Sequence, residues 1–244
     1  MKLIVIGSSS AGNSYALDSG KEILLIEAGV AMADIKRLID YRLSDVVGCI
    51  VSHEHGDHAK RAGEYARFGV QVYGNENVGK SKTFPFSKYT TLQQGKTVSV
   101  GKFRVVPFEC YHDVPNFGYI IYHPDMGTLL FASDTYKMGN AFSGIDHWLV
   151  EANYDDKILK ANIEDGTIDR AQANRLMISH LSLDNTIHYL HECHAEDSKT
   201  ITLCHLSSRN SNAQMFAEKV AGEFGVPTVV ACKGLIVELN KELI

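Results

Sequence analysis

Short apolar runs that change their period along the chain set out its elements. Residues 3–6, 14–18 and 22–26 are compact and apolar, rich in Leu, Ile and Val, and predict three strands. The polar loop Gly7-Ser8-Ser9-Ser10-Ala11-Gly12-Asn13 separates the first two. Residues 31–41 carry apolar side chains at helical spacing with charge on the other side, which predicts a helix. The run Val46-Val47-Gly48-Cys49-Ile50-Val51 predicts a buried strand, and residues 57–68 a helix with Asp57 and His58 in its first turn. A short strand at 71–73 follows, then strand-like runs at 97–100, 103–108, 119–122, 128–132 and 148–150. Helices are predicted over 155–161, 169–177, 184–193 and 210–224, and a strand over 200–204. Residues 228–230 and 235–239 read as a closing strand pair. Strands and helices mixed in both halves, with no repeat and no linker, predict one α/β domain over 1–244 with layered sheets and outer helices.

Composition adds little to this picture. The 244 residues are 45% hydrophobic and 22% charged, ordinary values for a globular chain with a substantial core. A net charge of −5 gives no global attraction for nucleic acid and leaves room only for a local basic patch. The five cysteines are widely spaced with no Cys-x-x-Cys, and Cys49, Cys204 and Cys232 lie in apolar runs, as core residues of a reducing, cytoplasmic protein would. The N-terminal apolar run is too short for a secretory signal, and no stretch is long enough to span a membrane.

The chemistry concentrates in Ser52-His53-Glu54-His55-Gly56-Asp57-His58, directly after a predicted buried strand. Imidazole and carboxylate at this density demand a compensating partner, and a zinc-like cation is the usual one. Three later strands also end on ligand-type side chains: 104–108 runs into Glu109-Cys110-Tyr111-His112-Asp113, 128–132 into Ser133-Asp134-Thr135, and 200–204 into His205. Strand ends are rigid platforms for such groups.

His53, His55, Asp57 and His58 make the pattern His-x-His-x-Asp-His, and with the later strand ends the chain resembles the metallo-β-lactamase fold superfamily along its whole length. The resemblance implies a four-layer αβ/βα sandwich with a metal site at one edge of the two sheets. It implies two divalent ions, zinc or manganese with iron as a further option. One would be held by His53, His55 and His112, the other by Asp57, His58 and His205, with Asp134 between them. Glu54 has no ligand role in that pattern. Within the superfamily the chain is similar to YycJ-like (WalJ-like) hydrolases. The stretches 7–13, Glu151-Ala152-Asn153, His180-Leu181-Ser182 and His205-Leu206-Ser207-Ser208-Arg209-Asn210 carry that similarity. Tyr154 and Ala59-Lys60-Arg61 depart from the pattern. The segment between Asp134 and His205 is too short for the β-CASP insertion of RNase J-like enzymes.

The resemblance implies phosphodiester hydrolysis of the DNA-exonuclease kind, and paired divalent ions suit it because they acidify water and clamp a phosphoryl group. Asp57 and His180 are the expected catalytic residues, His180 as proton donor to the leaving group. Ser9, Asn13, Lys60, Ser182, Ser207 and Asn210 are expected around the substrate, with Ser182 and the 207–210 run equally able to cap helices. Residues 77–108 lack any acidic residue and interleave Lys80, Lys82, Lys88, Lys96, Lys102 and Arg104 with Phe84, Phe86, Tyr89 and Phe103. That pattern suits either a single-strand track or a sheet edge with lysines on its wet side. His188, His191 and His194 recur every third position on a predicted helix and drift around its surface instead of converging. His123 and His147 read as structural or exposed. Two other functions fit the same scaffold: a thioester, lactone or amide hydrolase, and a nucleic-acid-binding regulator with little turnover.

Overall fold

A computed structural model of the chain describes residues 1–85 and 87–240. The first half comprises β1 (Lys2–Gly7), β2 (Ser14–Asp18), β3 (Ile23–Ile26), α1 (Met32–Leu38), β4 (Val46–Val51), α2 (Gly56–Ala59), α3 (Ala62–Arg67), β5 (Val72–Gly74), α4 (Glu76–Ser81), β6 (Tyr89–Thr91), β7 (Val98–Val100), β8 (Phe103–Tyr111) and β9 (Asn116–His123). The second comprises β10 (Gly127–Ala132), β11 (Lys137–Met138), β12 (His147–Glu151), α5 (Asp156–Glu164), α6 (Arg170–Met177), α7 (Leu183–Glu192), β13 (Thr200–Cys204), α8 (Ala213–Phe224), β14 (Thr228–Val230) and β15 (Ile236–Glu238).

The strands form two sheets, ordered β15-β1-β2-β3-β4-β5-β6 and β11-β8-β9-β10-β12-β13-β14, with β7 against β8. In β3, Leu24 and Ile26 point between the sheets while Ile23 and Leu25 face α1 and α3. In the second sheet Leu129 and Phe131 point inward, and Leu130 and Ala132 face α7 and α8. A strand covered on both faces must be apolar at every position, which is why these segments read as unbroken runs. The result is the expected four-layer αβ/βα sandwich.

Each sheet has a parallel half, β3-β4-β5-β6 and β10-β12-β13-β14. The C-terminal ends of parallel strands leave a common lip, where α/β folds place their ligands. Glu27, His53, Asp134, Glu151 and His205 all lie within two residues of such ends.

Four local readings need correction. The helix over 57–68 is two short helices, because Arg61 leaves the helical register to donate its N–H to Ala28 O at 2.9 Å. The closing strands do not pair: β14 extends the second sheet beside β13, and β15 crosses to β1 of the first. Cys232 is exposed because β14 ends at Val230, whereas Cys49 and Cys204 are buried as expected. Helix α4 is new; its N-cap Asn75 accepts from the Val78 N–H at 3.0 Å, but only Val78 in it is buried, so it leaves no apolar periodicity. No helix among the described residues is long and apolar enough to cross a membrane.

His147 is fully buried on β12, with Nδ1 2.8 Å from Thr200 Oγ1. Burial disfavours its charged form and pushes its pKa down to about 4. Between the ordinary histidine value near 6.5 and about 4, the unfolded chain therefore binds a proton that the folded chain refuses. Stability from this group is fully present above about pH 6.5 and is lost as the pH falls toward 4, by about 3 kcal/mol in all. Urea titrations from pH 7 to 4 are expected to show a loss in the wild type that exceeds the loss in His147→Gln by about that amount. Parallel pH curves for the two proteins would refute this account.

Candidate metal centre

The loop after β4 is fixed from below. Asn13 N–H donates to Asp57 O at 2.7 Å, Ala28 N–H to His58 O at 2.7 Å, and Gly29 N–H to Asn13 O at 3.0 Å. A Cβ at Gly29 would stand 1.8 Å from Asp57 O, so only glycine lets these segments meet. This clamp sets the first turn of α2, and with it Asp57 and His58.

Two groups of side chains gather above it. The ligand atoms of His53, His55, His112 and Asp134 lie within 4.8 Å of one another, and so do those of Asp57, His58, Asp134 and His205. Asp134 belongs to both, and its two oxygens divide between them. Oδ1 lies 3.2 Å from His58 Nε2 and 3.3 Å from His205 Nδ1. Oδ2 lies 3.8 Å from His53 Nε2 and 3.9 Å from His112 Nε2. In the second group Asp57 Oδ2 is 3.3 Å from His205 Nε2 and 3.4 Å from His58 Nε2.

The cluster suits a cation better than it suits itself. His53 Nε2 is buried without a hydrogen-bond partner, which is costly unless something else engages it. In the first group, His55 Nδ1 and His112 Nε2 face each other at 3.2 Å, as imidazoles do around a shared ion. Nitrogen and carboxylate donors at this spacing fit divalent metal binding. The electrostatics agree. Burial works against charge on His205, yet the nearby carboxylates, Asp134 foremost, lift its pKa to about 10. Burial, His58 and the other imidazoles push His53 down, only partly opposed by Asp134. Hydrogen bonds from His205 and His58 hold Asp57 far below the usual carboxylate range against the effect of burial. The carboxylates thus hold protons on some imidazoles in a place where a metal would displace them.

The ligand-type residues are held in turn. Ser52 Oγ meets His53 Nδ1 at 2.8 Å, and Ser179 O meets His112 Nδ1 at 3.0 Å. The fully buried Glu27 carboxylate lies 3.5 Å from His58 Nδ1 and accepts the Ser52 N–H at 3.3 Å. Such outer partners fix ring orientation and tautomer. Glu27, Asp134 and His205 have φ of 67°, 52° and 54°, left-handed conformations that cost energy outside glycine and cluster at functional sites.

Glu151, at the end of β12, is fully buried. It accepts from Thr135 N–H at 3.0 Å and lies 2.7 Å from His180 Nδ1 and 3.1 Å from His205 Nδ1. His180 stacks on His205 with ring centroids 5.4 Å apart. With Nδ1 engaged by Glu151, His180 has Nε2 left for the cleft it lines. Burial opposes charge on His180, but Glu151 outweighs it and raises the pKa. Sequence reasoning did not place Glu27 or Glu151 in the site. The available signal was an acidic residue ending an apolar strand.

The cleft over these groups has a volume of about 560 Å³, and Ser10, Asn153, Arg175, His180, Ser207, Arg209 and Asn210 are among its lining residues. Ser207 and Asn210 are therefore at the cleft, with Asn210 Nδ2 3.3 Å from Ser207 Oγ. Other expected substrate residues sit elsewhere. Ser9 Oγ accepts the Ala11 N–H within its own turn, while Ser8 Oγ accepts the His205 N–H at 2.9 Å. Asn13 is fully buried, its Nδ2 3.0 Å from His58 Nε2 and 3.4 Å from Asp57 Oδ2, so it sits within the second group and not on the cleft wall. Ser182 is buried as the N-cap of α7. Lys60 donates to Ala11 O and lines two neighbouring hollows instead of the main cleft. Tyr154 is buried against Leu159, Ile168 and Ala173.

The basic and aromatic run over 77–108 follows the sheet-edge reading. Tyr89 lies on edge strand β6 and packs on Phe84 with centroids 4.5 Å apart; Phe103 is fully buried. Phe86 lies outside the described residues. With Phe84 and Tyr89 half-buried against each other and Phe103 in the core, the described rings of the run form no exposed row of faces for bases. His188, His191 and His194 are exposed and pair with Glu192, Glu223 and Glu196.

Comparison with known proteins agrees with this architecture. Residues 23–204 match the family model described as "Beta-lactamase superfamily domain". The chain is 28% identical over 229 residues to exodeoxyribonuclease WalJ of Streptococcus pneumoniae serotype 2 (strain D39 / NCTC 7466), covering 86% of this chain and 83% of that protein. It is 25% identical over 237 residues to exodeoxyribonuclease YycJ of Bacillus anthracis, covering 91% and 89%. The crystal structure of the metallo-beta-lactamase fold protein YhfI from Bacillus subtilis superposes with a TM-score of 0.74 at 17% identity, covering 97% of this chain and 98% of the other. With the matched region running from β3 through β13, this chain belongs to the β-lactamase superfamily domain family.

Proposed function

We propose that this protein is a metal-dependent hydrolase of phosphodiester bonds, a nuclease acting on DNA, that works with two divalent ions. The observation that carries this reading is the division of Asp134, one oxygen toward His58 and His205 and the other toward His53 and His112. His53, His55 and His112 would hold one ion, Asp57, His58 and His205 the second, and Asp134 would join them. Ions held there supply electrophilic stabilisation of a phosphoryl group and acidify water to near neutrality. The exodeoxyribonuclease names of the WalJ and YycJ relatives support DNA as the polymer.

The chain's own residues do the remaining work. Asp57 orients the second group through His205 and His58. His180 delivers a proton from Nε2 to the departing oxygen while Glu151 holds its Nδ1. Ser207, Asn210, Arg175 and Arg209 line the cleft and meet phosphate oxygens. Asn13 and Ser182 act from behind, as a brace for Asp57 and His58 and as a helix cap.

The test is a substrate panel with metal-loaded protein: single-stranded DNA, RNA, bis(p-nitrophenyl) phosphate, a thioester and a cephalosporin. DNA is expected to turn over. His180→Gln is expected to lower kcat on DNA by about 10²–10⁴ with metal content unchanged. Its effect on bis(p-nitrophenyl) phosphate should be far smaller, because p-nitrophenolate leaves without a proton. Thioester turnover indifferent to His180 would sink the proposal, and so would bound metal with no hydrolysis of any diester.

A further inference from the structure

A second concave surface adjoins the metal loop. Helix α3 and the connection after α4 enclose a cleft of about 450 Å³ lined by Lys60, Arg61, Arg67 and Lys82, with Glu64 as its one carboxylate. Glu64 is already engaged, by Arg61 at 3.2 Å and by the Met32 N–H at 3.2 Å. A chain with a net charge of −5 thus gathers four cations around one hollow. The floor is tight, since a Cβ at Gly63 would stand 2.5 Å from Thr83 O.

The cleft is tied to the metal centre on both sides. Lys82 Nζ donates to Glu54 O, inside the His-rich loop, at 3.3 Å. Lys60 caps α2, whose first turn carries Asp57. Lys60 and Arg61 also line a hollow of about 520 Å³ beside Ser9 and Ala11, and Ser10 between those two lines the main cleft. The basic cleft and this hollow therefore share Lys60 and Arg61, and the serine loop that borders the hollow reaches the main cleft through Ser10. Among the described residues no aromatic side chain lines the basic cleft.

Cations without aromatic faces recognise a phosphate backbone and not bases. A concave surface with this excess of positive charge also focuses its field on an anionic chain. We propose that this cleft carries phosphates of the substrate strand beyond the linkage being cut, so that it sets the enzyme's preference for long over short substrates. This rests on the phosphodiesterase reading above, and the experiment separates the two.

The measurement compares wild type, Arg67→Gln/Lys82→Gln and the conservative Arg67→Lys/Lys82→Arg. Cleavage is followed on thymidine oligomers of 2, 6 and 20 nucleotides and on bis(p-nitrophenyl) phosphate. Binding of the 20-mer is measured against salt with turnover blocked by chelator, using full-length protein of verified melting temperature. The Gln pair is expected to raise KM for the 20-mer about tenfold while leaving the dinucleotide and the small diester within about twofold, two lost phosphate contacts being enough for this. The slope of log Kd against log salt should become shallower by about 1.4, at about 0.7 per single-strand phosphate contact. The conservative pair should restore both. Equal losses on short and long substrates, an unchanged salt slope, or poly-glutamate bound as tightly as the 20-mer would overturn the proposal. Should the wild type cleave no diester, the functional reading fails, and the salt slope of binding alone still decides the role of the cleft.

Discussion

Asp134→Asn is expected to abolish turnover, lowering kcat/KM by at least about a thousandfold, the several kcal/mol that a correctly held cation contributes to a transition state. The reason lies in what the carboxylate touches. Its two oxygens face four imidazoles in two groups, and no other residue in the site is shared by the two metal-type groups that hold His53 and His58. Asparagine is the informative replacement. It tolerates the left-handed backbone that Asp134 adopts at φ 52°, so the fold survives while the bridging charge is removed. Its amide keeps one oxygen, leaving a donor aimed at one of the imidazole groups. Metal analysis of the purified variant is expected to fall below the wild-type stoichiometry, with the circular dichroism spectrum unchanged. Full metal content together with full activity would show that Asp134 joins nothing.

Glu151→Gln carries the second-largest expected effect: kcat lowered about 10- to 100-fold, the usual consequence of removing a partner that orients a metal-site histidine. This fully buried carboxylate receives Thr135 N–H and faces both His180 and His205. The amide of glutamine would turn a donor toward one nitrogen that now meets an acceptor. If Glu151 works through His180, then Glu151→Gln/His180→Gln should be little slower than His180→Gln alone, since residues that act as a unit are not additive. Fully additive losses would assign Glu151 to His205 or to the fold instead. A melting temperature measured alongside separates a stability loss from a rate effect.

These expectations draw unevenly on sequence and on structure. The strand before the His-rich loop, residues 46–51, and the strands 14–18 and 200–204 coincide with β4, β2 and β13, and in β4 burial on both faces writes an unbroken apolar run. Helix α4 left no such mark, since one buried valine makes no periodicity. The helix over 57–68 breaks at Arg61 because of a hydrogen bond to Ala28, thirty-three positions away in the chain. Of the described rings in 77–108, Phe84 and Tyr89 pack on each other and Phe103 is in the core, which no local pattern could reveal.

The chain's own order of residues determined that histidines and aspartates would stand at strand ends, because an apolar run that stops at a polar residue marks a lip wherever the strand is placed. It also determined the two-faced burial that makes a four-layer sandwich. Only the tertiary structure decided which of those ends meet. The parallel halves of two sheets bring β3, β4, β10, β12 and β13 to one edge, so Glu27 and Glu151, neither given a site role by the sequence, stand behind His58, His180 and His205. The meeting of Glu27 with His58 and of Glu151 with His205 depends on how the strands are placed side by side and leaves no trace in local spacing.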